Sequence, residues 1–242
     1  MPFESVITAE KATWFLSTPV PVTNAPLAGT KPPMTGFDRL MKEGQYAEGL
    51  SLLDSVEAVY CSIPCYTDSY EMGVVYNNRG SARMALALYQ TGDSALKNEL
   101  LHHAEMEIKQ SIMLYEAWKR KFDGMTNGMI SSYVHACFPA RDSFGNNPDY
   151  DRMLKKRIGD IELARVEINR RLSVSYSNLG IIQRHLYQQD SAMVSYMKAL
   201  KLWKRNPTAK NNLNTLLGRP QEKGSLIEQL FPPDRKTPDY TD

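Results

Sequence analysis

From Gly36 onward the apolar positions recur at helical spacing. In "FDRLMKEGQYAEGLSLLDSVEAVY", Phe37, Leu40 and Met41 form a short stripe that Gly44 interrupts. Tyr46, Leu50, Leu53, Val56 and Val59 then form a second. "YEMGVVYNNRGSARMALALYQTGD" predicts a helix from about Ser69 to Tyr89, stopped by Thr91, Gly92 and Asp93. In the next segment Leu101, Ala104, Ile108 and Ile112 share a face with either Leu114 or Tyr115. "GMISSYVHACF" predicts a short helix ended by Pro139, and a polar loop follows. Helix resumes at "DRMLKKRIGDIELARVEINRRL", with Ile158, Ile161, Ile168 and Leu172 in phase with either Ala164 or Val166. No stretch alternates apolar and polar residues as a half-buried strand would. The pattern predicts an all-α chain of roughly nine or ten helices, joined as antiparallel hairpins.

The first 35 residues differ. Pro19, Pro21, Pro26, Pro32 and Pro33 recur among Thr, Ala and Gly, which disfavours helix and favours extended chain. Residues 1–35 are therefore expected to form an irregular arm, with Trp14, Phe15 and Leu16 as its apolar anchor. The alternative is a tether to a larger protein upstream.

"YSNLGIIQRHLYQQDSAMVSYMKAL", from Tyr176 to Leu200, places Leu179-Gly180 three residues after Tyr176 and then Ala192, Tyr196 and Ala199. The aromatic, the Leu-Gly pair, the alanines and the second aromatic in this phase resemble the tetratricopeptide repeat. In such a hairpin the small residues let helices approach closely, and the large ones fill the layer between hairpins. Gln183 stands where an aromatic is usual, and Pro207 comes late. Asp190 is placed to cap the second helix. "YNNRGSA" from Tyr76 repeats the phase, with Ala104, Ile108, Ser111 and Ile112 on the second helix. The long gap between Gly80 and Ala104 reads as two extended helices with a turn at Gly92. Weaker copies fall at 36–60 and 125–171.

The resemblance implies a right-handed superhelix of stacked hairpins over residues 36–217. Its hairpins would span 36–60, 69–121, 125–171 and 173–204, and a helix over 208–217 would close the array. Residues 218–242 would be a tail with a short helix at 224–230. The first helix of each hairpin would line a concave surface that binds a peptide or a partner protein. The residues expected to be exposed there are Asn77, Ser81 and Met84 in one repeat, and Ser177, Ile181, Arg184 and His185 in the other. The Lys and Asn pattern of the family's carboxylate-binding members is not present at these places.

Composition narrows the classes of function. The chain has 242 residues, 42% hydrophobic and 23% charged, which suits a globular protein with a sizeable core. A net charge of +2 gives no pull toward nucleic acid or acidic membranes. The basic run "RMLKKR" at 152–157 lies among carboxylates and reads as a solvated helix face. His102 and His103 are adjacent on a helix and diverge by about 100°, so they read as surface. Neither a secretory leader nor a membrane span is evident, which makes a cytoplasmic location the default expectation.

Three cysteines are too few for a disulfide framework. Cys61 and Cys65 could pair across "CSIPC" only under strain, and the plainer reading makes all three small buried thiols. A zinc site joining them to His135 and Cys137 is disfavoured by spacing. No nucleophile–base pair, cofactor site or phosphate loop stands out. The expected function is a non-catalytic protein- or peptide-binding scaffold without cofactor or metal. The alternatives are a soluble assembly domain of a larger membrane or envelope protein, and a helical enzyme.

Overall fold

The computed structural model describes residues 31–63, 65–138 and 150–221. The described residues form eight helices and no strand, so the chain is all-α. They are α1 (Lys31–Lys42), α2 (Tyr46–Cys61), α3 (Tyr70–Tyr89), α4 (Ser94–Phe122), α5 (Asn127–Cys137), α6 (Tyr150–His185), α7 (Gln189–Leu202) and α8 (Pro207–Leu216).

Side-chain caps set four of the eight helix starts among the described residues. Ser69 Oγ accepts from Met72 N, Asp93 from Ala95 N and Leu96 N, Thr126 from Met129 N, and Asn206 from Ala209 N. Each bond satisfies an amide with no partner inside its helix. Gly44 turns the chain between α1 and α2 at φ +74°, a conformation that costs glycine little. Asp190 does not cap α7. The helix begins at Gln189 after Gln188, and Asp190 lies in its first turn, where its charge still favours the N-terminal dipole.

The helical region begins earlier than the proline density implies. α1 starts at Lys31 and carries Pro32 and Pro33 in its first turn. Amides at that position have no helical partner to lose, so proline is tolerated there. Residues 1–30, with Trp14, Phe15 and Leu16, lie outside the described residues, as do 222–242 and the short helix expected at 224–230.

A second difference concerns α6. It runs unbroken from Tyr150 to His185, through the place where one hairpin was expected to end at 171 and the next to start at 173. Leu172, Ser173, Val174 and Ser175 are all buried, so packing on every side holds the helix where its own sequence is only a moderate helix former.

Neighbours in sequence are neighbours in space. α1 packs on α2, α2 on α3, α3 on α4, α6 on α7, and α7 on α8. The short α5 lies against α6, and α4 reaches past it to pack on α6 directly. α3 also touches α6, and α6 touches α8. The two longest pairings are antiparallel: Gly73 and Gly80 of α3 meet Tyr115 and Ile108 of α4 in reverse order. Likewise Ser173 and Gln183 of α6 meet Ala199 and Ser195 of α7.

The main core runs from Phe37 through Leu53, Tyr60, Ile108, Tyr115 and Ile161 to Ile182. A second cluster of Ile181, Ala192, Tyr196, Ala199 and Ala209 lies at the C-terminal end. Met84 and Tyr176 pack against both. Between the two residues competing for each helix face, Tyr115 and Ala164 are buried, while Val166 is exposed. None of the helices among the described residues is long and apolar enough to cross a membrane.

Candidate functional site

α3 and the second half of α6 carry the residues expected to face a partner. Residues of α3 and those 100 further along in α6 have like surroundings on the helices that follow them. A Cβ built on Gly80 would stand 2.7 Å from the Ile108 side chain and 3.0 Å from the Ala104 carbonyl. One built on Gly180 would stand 2.5 Å from the Tyr196 ring. Ile108 follows Ala104 by one helical turn, as Tyr196 follows Ala192. One turn further along, Ser111 Oγ donates to Gly73 O at 2.7 Å, and Ser173 Oγ donates to Ala199 O at 2.7 Å. Gly73 and Ser173 hold the same place on their helices, as do Ser111 and Ala199 on theirs, and the direction of donation is reversed. Tyr76 Oη donates to Glu57 of α2 at 2.6 Å, and Tyr176 Oη to Glu116 of α4 at 2.8 Å. Burial and then the carboxylate partner push each phenol up to about 12, because losing its proton would set two negative charges side by side.

Four of the seven expected surface residues are buried. Asn77 and Ser81 are each 5% exposed, Ser177 0% and Ile181 2%. The reason is visible in their partners. Asn77 Oδ1 accepts from Ser175 Oγ at 3.0 Å and from Asn178 Nδ2 at 3.1 Å. Asn178 Nδ2 also reaches Ser81 Oγ at 3.1 Å. Asn206 Nδ2, at the start of α8, reaches Ser173 Oγ at 2.8 Å and Ser177 Oγ at 2.9 Å. These polar side chains therefore bond successive helices to one another. Ile181 belongs to the second core cluster. Satisfied buried polar groups of this kind specify one alignment of the helices, because any slip would leave donors unpaired.

Met84, Arg184 and His185 remain half-buried. Arg184 Nη1 donates to Asn212 Oδ1 at 3.1 Å. Burial, with the charges of Arg184 and Lys97, lowers the His185 imidazole to about 4, so the ring is neutral near pH 7. What stays partly accessible is Met84 on α3, which packs against the cluster containing Ile181, and Arg184 and His185 at the C-terminal end of α6.

Sequence reasoning missed two features. Arg157, in the run expected to be solvated, is 8% exposed and forms an ion pair with Glu71, which is 5% exposed. Its guanidinium also lies 4.3 Å from the centre of the Tyr66 ring. Burial alone would push the Glu71 carboxyl up. Arg157, its own backbone amide and Ser69 outweigh that and hold it below the usual value. Met153, Leu154 and Arg157 fall at helical spacing on one buried face, which was the available signal. The second feature is a disulfide between Cys65 and Cys137, 72 residues apart, with Cys61 exposed and free. This corrects the picture of three buried thiols, and it removes two sulfurs from the zinc cluster that was considered.

In comparisons with known proteins, no family model, curated protein or solved structure matches this chain.

Proposed function

We propose that the chain is a tetratricopeptide-like array of stacked hairpins serving as a non-catalytic protein- or peptide-binding scaffold. One observation carries the reading: α3 residues and the α6 residues 100 further along make like contacts with the helices beside them. The Gly80 and Gly180 close approaches, the Ser111 and Ser173 bonds, and the two tyrosine–glutamate bonds occupy matching places. A pattern that brings a glycine, a small residue and a tyrosine to equivalent contacts twice is what a repeated hairpin requires. The order of packing supports it. α1, α3, the second half of α6 and α8 would be first helices, and α2, α4 and α7 second helices. α5 and the first half of α6 would be an insertion between the second and third hairpins.

The partner surface in this reading is the half-buried Met84, Arg184 and His185. The buried Asn77, Ser81, Ser177 and Ile181 hold the helices that present it. A displayed peptide library selected against the purified chain tests the reading. Selected peptides should bind the wild type and lose at least about tenfold in affinity to Met84→Ala or Arg184→Ala, near 1.4 kcal/mol. Failure to select any binder, or binders indifferent to both substitutions, would sink it.

A further inference from the structure

Cys65 is held from two sides. On its own side the segment between α2 and α3 is anchored without the disulfide. Tyr66 is buried, stacked on Tyr60 at 5.8 Å and covered by the Arg157 guanidinium. Ser69 caps α3, and Asp68 accepts from Lys121 Nζ at 3.0 Å. On the other side Cys137 ends α5, an 11-residue helix whose buried side chains are Ile130 and Val134. A helix of that length is marginal by itself, so its order depends on docking. Cys61 is exposed and lies four residues before Cys65. Ile63 N bonds Tyr60 O and Tyr66 N bonds Ile63 O, so two short backbone turns are all that separates the two cysteines along the chain.

We propose that the three cysteines form an internal thiol–disulfide switch in which Cys61 displaces Cys137 from Cys65 and releases α5. The Cys61 thiolate attacks Cys65 Sγ. The Cys61–Cys65 bond forms as the Cys65–Cys137 bond breaks, and Cys137 leaves as a thiolate that takes up the proton Cys61 gave away. One disulfide and one thiol exist before and after, so no oxidant or reductant is consumed. The two states differ in what the disulfide closes. In one it joins α5 to the α2–α3 segment; in the other it closes a strained five-residue loop, which makes this the less populated form, and leaves α5 held by its own packing. The anchored side keeps its place through Tyr66 and Arg157, so the change is confined to α5.

Non-reducing peptide mapping of the full chain tests this, after incubation at mildly alkaline pH, acid quench and alkylation. The expected result is a mixture: molecules with Cys65–Cys137 and alkylated Cys61, and molecules with Cys61–Cys65 and alkylated Cys137. In the second form the amides of 128–137 should exchange roughly tenfold faster or more, while those of α3 stay protected. Cys61→Ser should abolish the second form and keep α5 protected. The proposal is overturned if only the Cys65–Cys137 form appears, if the isolated second form protects α5 as well as the first, or if its exchange rises across the whole chain.

Discussion

At the scale of single residues, the close approaches are the most exposed to test. Gly180 lies under the ring of Tyr196, which has no accessible surface, so an added methyl has nowhere to go. Gly180→Ala should lower stability by about 1–3 kcal/mol in spite of alanine's better helix propensity. Gly159, with open space around its Cα, should instead gain or hold stability on the same change. Thermal unfolding of both variants checks the pair, and a stabilised Gly180→Ala would refute the packing argument.

His185 gives a pH dependence with a definite sign. Its folded value, lowered to about 4, lies below the ordinary histidine value near 6.5. Between those limits the unfolded chain binds the proton that the folded one refuses, so stability rises with pH across that window. It is fully present above about 6.5 and lost as pH falls toward 4. Glu71 acts in the same direction at lower pH: its depressed carboxyl contributes stability above the unfolded value, lost as pH falls through the folded one. Denaturant titrations from pH 4 to 7 should show a shallower slope in His185→Gln than in wild type between pH 5 and 6.5. An unchanged slope would mean that the ring is solvated.

At the scale of elements, one side chain both caps α8 and ties it to α6. Asn206 Oδ1 caps α8 while Asn206 Nδ2 ties it to Ser173 and Ser177 of α6. Asn206→Ala removes the cap and leaves Ser177 in the core with fewer partners. It should cost about 2–3 kcal/mol, with α8 amides losing protection before those of α3. Uniform loss of protection would show instead that α8 is not a separate element of stability. The buried Glu71–Arg157 pair plays a comparable part between α3 and the first half of α6, where it fixes alignment more than it adds stability.

At the scale of the molecule, most packing joins successive helices, with α4 passing over α5 to α6, so damage should stay near its source. Leu53 of α2 has no accessible surface. Leu53→Ala should cost about 2–5 kcal/mol. In hydrogen exchange its effect should be larger in α1, α2 and α3 than in α7 and α8, as nearest-neighbour coupling requires. Equal loss at both ends would point to one cooperative bundle.

The helical content and most element positions were legible in the hydrophobic spacing, because a 3.6-residue period needs only local sequence to be seen. Ser69 could be read as a helix start for the same reason: a cap acts within three residues. What faces a helix on its polar side is another matter. Asn77 and Ser177 look like surface residues in the sequence, and only the approach of Asn178 and Asn206 turns them inward. Arg157 reads as one more cation in a basic run until Glu71, 86 residues away, meets it. The cysteines show the same division. The sequence by itself determined that Cys61 and Cys65 are near each other. Only the tertiary structure decided that Cys65 bonds Cys137, because that choice depends on where α5 docks, and docking is set by surfaces far apart along the chain.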